Sequence, residues 1–364
     1  MTCPCFRPDI SGKDLCRSFL LACRAYCIVN SCKIKKEKFK MPTSVLLFAV
    51  GLVLLIKGGD WFVDGATGIA KRFNLPDIVV GATVVSIGTT LPEVMVSTTG
   101  ALQGSGAMAY GNAIGSIICN TALIAAISIT CNPGPVNIKS MKTPAVFFFL
   151  SAGIYCLAAY GLGTFPRWLG FVMLILFVIY MVMTVRNGLR NPDAAVEEED
   201  EDSKPKQLWQ ELVLLVVGAA VIALGANLLV EHGQIIALGL GVPETVVALL
   251  FVALGTSLPE LVTTITSLRK GRASLGVGNV IGANIFNLVL VSGVAVSLAP
   301  FDVPCENELL NTGLNLSLVF DIPVMLLVMS LMIFPALAKK KLSRWQGVAL
   351  LGIYAAFCVL QFIL

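Results

Sequence analysis

The sequence predicts an all-α polytopic membrane protein with ten transmembrane helices in two inverted five-helix repeats. Three observations predict it. Apolar runs of bilayer length recur from residue 43 to Leu364, one long segment returns a second time at a fixed offset, and the same acidic motif lies inside an apolar run in both copies. The 364 residues are 56% hydrophobic and only 13% charged, against the roughly 25% charged content of soluble domains, so the spans leave no room for a folded soluble domain.

In chain order, residues 1–42 form a basic, Cys-rich extension of unassigned role. Residues 1–40 hold nine of the 26 basic residues and six of the 11 cysteines, and the apolar stretch 19–29 is interrupted by Arg24 and too short to span. This leader reads as dispensable, with Met41 an alternative start. The scattered cysteines and the single histidine, His232, argue against a zinc site there. The expected spans are 43–70, 76–103, 111–129, 143–161 and 166–186, then 208–230, 243–268, 277–298, 315–336 and 345–363. The first repeat is thus 43–186 and the second 208–364. Residues 187–207 join them, and the acidic run from Asp193 to Asp202 reads as a solvated linker. Loops on one side of the core carry fifteen Lys and Arg residues, whereas the other side has only Arg167, which puts the linker and the other basic loops in the cytoplasm. The chain is therefore expected in the cell membrane as a multi-pass protein, with the lipid bilayer as its surroundings.

The repeat runs without gaps at an offset of 167 from Gly59 to Asn120. Gly88-Thr89-Thr90-Leu91-Pro92-Glu93 answers Gly255-Thr256-Ser257-Leu258-Pro259-Glu260, and the segment from Gly111 to Asn120 answers that from Gly278 to Asn287. Five spans is an odd number, so the second copy enters from the opposite side and the halves are related by a pseudo-two-fold axis in the membrane plane, an arrangement recurrent among secondary transporters.

Glu93 and Glu260 each lie deep in an apolar span, where a lone charge costs about 3 kcal/mol or more. Two such carboxylates near each other would repel in a dry site, and a bound divalent cation relieves both problems. Thr89, Thr90, Thr256 and Ser257 supply further hard oxygens of the kind calcium accepts. The competing reading is a pair of protonated acids that serve helix packing. Pro92 and Pro259 lack an amide hydrogen and have Gly88 and Gly255 just upstream, so broken helices are expected at the ion site, with carbonyls at Thr89 and Thr256 turned to the ion. Asn120 and Asn287 occupy equivalent positions on the following spans and read as neutral ligands, as braces for the neighbouring glutamates, or as interhelical glue. The i,i+4 glycines Gly111, Gly115, Gly278 and Gly282 read as sites of close helix approach. Lys57, Asp60 and Asp64 share one helical face and read as an internally paired set, whose counterparts in the second copy include Asn227 and Glu231.

With these motifs in both halves and in this order, residues 43 to 364 resemble the sodium/calcium exchanger family of the cation/calcium antiporter superfamily, in its bacterial or archaeal type. The resemblance implies that Glu93 and Glu260 are calcium ligands used for sodium in alternation, that Thr89 and Thr256 are threonine ligands, and that Thr90, Ser257 and Ser116 line flanking sodium sites. It places Asn120 and Asn287 at the centre. Two departures stand out: Ala283 has no hydroxyl where the family commonly has Ser, and Asn287 lies where potassium-dependent exchangers have Asp. The implied function is alternating-access exchange of Na⁺ for Ca²⁺, with Ca²⁺/H⁺ antiport as the alternative. A passive channel would not need inverted halves around one charged pair. No nucleophile, histidine cluster or phosphate loop supports an enzyme, and no cofactor or nucleic-acid partner is expected. The partners are small inorganic cations, and because one chain carries both halves of the motif it is expected to work as a monomer.

Overall fold

The computed structural model describes residues 12–136, 138–190, 207–240, 255–304 and 315–363, with side chains from residue 42 onward except 237, 238, 362 and 363. The acidic linker 193–202, the first part of the seventh span and Cys305 lie outside the described residues. Helix α1 (Gly12–Arg72) runs from the leader into the first span, whose apolar part is Pro42–Arg72. The second span combines α2 (Asp77–Val80), a π-helical turn (Gly81–Val85) and α3 (Ser86–Leu102). The third combines α4 (Gly106–Cys119), a π turn (Asn120–Ala125) and α5 (Ala126–Cys131).

Strand β1 (Gly134–Pro135) leads to α6 (Ile138–Cys156), which continues as a π turn through Leu162. After β2 (Thr164–Phe165), α7 (Arg167–Arg190) ends the first half. The second half holds α8 (Leu208–Gly239), α9 (Leu258–Arg269), α10 (Ala273–Phe286), a π turn (Asn287–Val291) and α11 (Ser292–Leu298). It ends with β3 (Phe301–Asp302), a π turn (Ser317–Asp321) into α12 (Ile322–Lys339), β4 (Lys341–Leu342) and α13 (Arg344–Ile363). Among the described residues, eight helical stretches are long and apolar enough to cross a membrane. The spans that contain α9 and α13 bring the bundle to ten.

Two short ladders fix the topology. Strand β1 pairs antiparallel with β4, and β2 pairs antiparallel with β3. The first ladder joins the loop after the third span to the loop before the tenth, so those loops share one face; the second ladder joins the loops after the fourth and eighth spans on the other face. Each ladder is the other's mate under exchange of the two halves, as inverted repeats require.

The core consists of the spans that carry the repeated motifs. About 83% of the most apolar window of Ala273–Leu298 is buried, against 22% for Leu208–Ile236. An apolar helix that buries so little of itself must present the rest to lipid. Glycine makes the central approach: a Cβ on Gly278 would run into the Ile78 carbonyl, and one on Gly81 into the Leu275 carbonyl. Gly282 likewise packs against Ala82 and Ser86, so the close approach expected at Gly278 and Gly282 is present and joins the two repeats, whereas at Gly111 and Gly115 it is not made, since a Cβ at either would meet nothing within 4 Å. Helices α1 and α8 form a separate close pair, in which Gly51 faces the Gly225 carbonyl and Gly218 faces the backbone of Phe62.

The interruption expected at both prolines is present only at the second. In the first half α3 runs through Pro92 without a gap, and the irregularity is the π turn one step upstream. In the second half the chain turns at Ser257, and Pro259 then opens α9, where its missing amide hydrogen costs nothing. Missing hydrogen bonds run from i to i−4, so the carbonyl that Pro92 releases inside α3 is that of Gly88, not that of Thr89, and Pro259, in the first turn of its helix, releases none.

Candidate cation site

Helix α3 carries Thr89, Thr90 and Glu93 on its buried face, and the first turn of α9 carries Glu260. Both glutamates are 0% exposed. The two carboxyls lie close enough to repel each other, and that of Glu260 lies beside the hydroxyls of Thr89 and Thr90 from the other half. Ser257 and Asn287 are buried, as are Ser116 and Asn120 at the end of the third span's first segment, while Thr256 is half-buried. Cys119, next to Asn120, is also buried, with its thiol near Ser257 and Glu260.

Every side-chain oxygen and nitrogen of Glu93, Glu260, Asn120 and Asn287 lacks a hydrogen-bond partner, as do the hydroxyls of Thr90 and Ser257. Each such group forfeits about 1–3 kcal/mol unless something else satisfies it. No basic side chain answers the two carboxylates among the described ion pairs, whereas the buried Glu211 is paired with Arg72 at 3.0 Å. The unsatisfied atoms are carboxylate, hydroxyl and amide oxygens around two negative charges, a donor set suited to a hard cation. Among the described residues no group of three or more His, Cys, Asp and Glu offers a transition-metal site.

A crossed pair of hydrogen bonds holds the arrangement. The Thr89 hydroxyl donates to Asn279 Oδ1 at 3.1 Å, and the Thr256 hydroxyl donates to Asn112 Oδ1 at 3.3 Å. Thr89 and Thr256 are repeat mates, as are Asn112 and Asn279, so each half braces the other's threonine. A hydroxyl that spends its proton on an amide leaves its oxygen lone pairs free to face a cation. Asn112 Nδ2 also donates to the Glu93 carbonyl at 3.2 Å and to Ser97 at 2.8 Å, and Ser86 donates to the Asn279 carbonyl at 3.0 Å. Asn112 and Asn279 thus brace the two threonines, whereas the amides of Asn120 and Asn287 make no hydrogen bond to the glutamates. The available signal for Asn112 and Asn279 was their identical repeat position directly after Gly111 and Gly278.

The Lys57, Asp60 and Asp64 set is also rearranged. Asp60 and Asp64 are held by Lys270, beyond the end of α9, and Lys57 is exposed. Cross-helix contact replaces the expected pairing within α1 because the tip of α9 delivers a lysine to the same face.

Inverted halves, ten spans and a buried pair of unpaired carboxylates at their junction define a secondary transporter rather than an enzyme. The sodium/calcium exchanger protein family matches residues 43–186 and 211–363. The chain belongs to that family. It is 31% identical over 357 residues to the sodium/calcium exchanger MaX1 of Methanosarcina acetivorans, covering 88% of this chain and 99% of that one. It is 35% identical over 307 residues to an uncharacterized membrane protein of Methanocaldococcus jannaschii, covering 84% and 94%. The solved structure of the sodium-calcium exchanger NCX_Mj, soaked with Na⁺ and Sr²⁺, superposes with a TM-score of 0.72 at 32% identity, covering 88% of this chain and 99% of that chain.

Proposed function

We propose that this protein exchanges Na⁺ for Ca²⁺ across the membrane by alternating access, with Glu93 and Glu260 as ligands shared by both ions. The observation that carries this reading is the convergence of two buried, unpaired carboxylates from inverted halves, ringed by oxygens that have no partner within the protein. One Ca²⁺ neutralises both carboxylates, and Na⁺ ions can do so in its place. An empty site keeps two buried charges in mutual repulsion, which opposes passage of the unloaded carrier. Thr89, Thr256, Thr90, Ser257, Ser116, Asn120 and Asn287 complete the proposed ligand set. Residues 43–186 and 208–364 act as the two exchanger repeats, and because both halves of the site come from one chain, a single copy suffices.

The test is calcium uptake by sealed proteoliposomes under an imposed sodium gradient and, separately, an imposed proton gradient. Sodium-driven uptake is expected. Uptake driven by protons alone would replace this reading with Ca²⁺/H⁺ antiport.

Ala283 is fully buried on α10 at the repeat mate of Ser116 and supplies no hydroxyl. Restoring one by Ala283→Ser is expected to lower the sodium concentration for half-maximal calcium release about two- to fivefold, with a smaller change in calcium affinity. Thermal stability is followed alongside because the added atom enters a packed position. Unaltered sodium dependence in a well-folded variant would remove Ala283 as a determinant of sodium affinity.

A further inference from the structure

The two halves carry equivalent sites but do not close equivalently. On one side α1 lies tight on α9: a Cβ on Gly59 would come within 2.7 Å of Val262 and 2.9 Å of the Thr266 hydroxyl. The mate of this contact is α8 against α3, and there the helices stand apart. A cavity of about 930 Å³ separates them, bordered by Met95, Val96, Ala223, Ala226 and Asn227 and reaching Thr256. The α1–α8 pair is therefore seated on one half and withdrawn from the other.

The seated side has a fastening that the withdrawn side lacks. Lys270 Nζ lies 2.7 Å from Asp64 Oδ1, 2.9 Å from the Asp60 carbonyl oxygen and 3.8 Å from Asp60 Oδ1. Of the ion pairs between described residues, Arg72–Glu211 stays within the α1–α8 pair and Arg272–Asp77 stays within the core; those of Lys270 alone join the two bodies. The repeat mate of Lys270 is Gln103. Their backbones match: both cap a helix, with φ of −88° and −81°, and each precedes a glycine with positive φ, Gly271 at +70° and Gly104 at +83°. The mates of Asp60 and Asp64 are Asn227 and Glu231. Among the described residues no hydrogen bond or ion pair joins Gln103 to Asn227 or Glu231, and when α8 seats on α3 these side chains bring together one formal charge and two amides.

We propose that Lys270 is a positioning residue which, by gripping Asp60 and Asp64, holds the face bearing the basic loops closed and sets the resting orientation of the carrier toward the opposite face. Passage to the other orientation breaks this grip and gains no ion pair in return. The pairs are partly exposed, so each contributes modestly and the grip biases the equilibrium without freezing it. Apparent affinity at a face falls with the fraction of carriers open to it, so the bias is readable as a difference between the two faces.

This proposal rests on the exchange reading, and its test separates the two. In proteoliposomes of uniform orientation, the calcium concentration for half-maximal exchange is measured at each face for the wild-type chain, Lys270→Gln, Lys270→Arg, and Lys270→Gln combined with Gln103→Lys and Asn227→Asp. Lys270→Gln is expected to lower the value at the basic-loop face about three- to tenfold and to change the opposite face less than about twofold. Lys270→Arg keeps the wild-type ratio. The combined variant, which builds the fastening on the other half, moves the ratio further in the direction of Lys270→Gln. Absence of calcium exchange in the wild-type chain would overturn the functional reading itself. Normal exchange with an unchanged ratio in Lys270→Gln, or with parallel changes at both faces, would overturn the role of Lys270.

Discussion

Glu93→Gln and Glu260→Gln are each expected to reduce calcium exchange by at least about two orders of magnitude at unchanged membrane abundance. Either change preserves side-chain size and removes one of the two negative charges that compensate a divalent ion. Stripping one partner from a buried charged group costs about 3–5 kcal/mol, and each 1.4 kcal/mol is tenfold in affinity. The neutral surroundings offer no substitute, because no other carboxylate among the proposed ligands lies at the junction. Folding should survive: each variant leaves a single buried carboxylate free of repulsion from its neighbour. The measurement is radiolabelled calcium exchange in proteoliposomes across a calcium titration, with abundance and thermal stability in parallel. Exchange within tenfold of wild type by either well-folded variant would reject the shared-carboxylate site.

The second large effect is expected at the glycines where the halves meet. In Gly81→Ala the new methyl points at the Leu275 carbonyl and lies 2.8 Å from the Asn279 backbone nitrogen; in Gly278→Ala it meets the Ile78 carbonyl, with Ile78 Cα at 2.9 Å. Backbone atoms cannot rotate away as side chains can, so α10 must move off the second span. Overpacking of this kind costs about 1–3 kcal/mol or more, which outweighs the gain of up to about 1 kcal/mol from replacing a helical glycine by alanine. Each variant should therefore unfold in detergent at a clearly lower temperature than wild type. Gly153→Ala and Gly352→Ala are the controls, since a Cβ at either meets nothing within 4 Å, and they should be neutral or mildly stabilising. The same displacement carries Asn279 away from Thr89, so transport by the Gly81 and Gly278 variants should fall by more than their stability alone explains. Equal thermal stability of all four variants would contradict the close approach.

What the sequence made legible followed from symmetry and hydropathy. Ten spans, inverted halves and the acidic pair could be read because a five-span offset and a charge in an apolar run are local properties of the chain. The crossed bracing of Thr89 by Asn279 and Thr256 by Asn112 is not local: its partners lie 190 and 144 residues apart, and only the folded junction selects these amides over those of Asn120 and Asn287. Asp60 and Asp64 were misassigned for the same reason. Helical spacing offered Lys57, and the neighbouring helix end supplied Lys270. The π turn before α3 was also invisible, since an i→i+5 ladder has no signature in residue type, whereas proline advertised a break that the first half does not make at that point.

The third and eighth spans each change from α to π at the same asparagine, Asn120 in one half and Asn287 in the other. A π turn is an α-helix that has absorbed one residue more than its ladder needs. The offset of 167 holds up to both asparagines and again beyond the π turns, at β1 and β3, so the two copies accommodate the extra residue at the same place. The irregularity is therefore a property of the repeat unit itself, which supplies one glutamate and one distorted helix, so a single unit holds half a site and a two-carboxylate centre exists only where two oppositely oriented units meet.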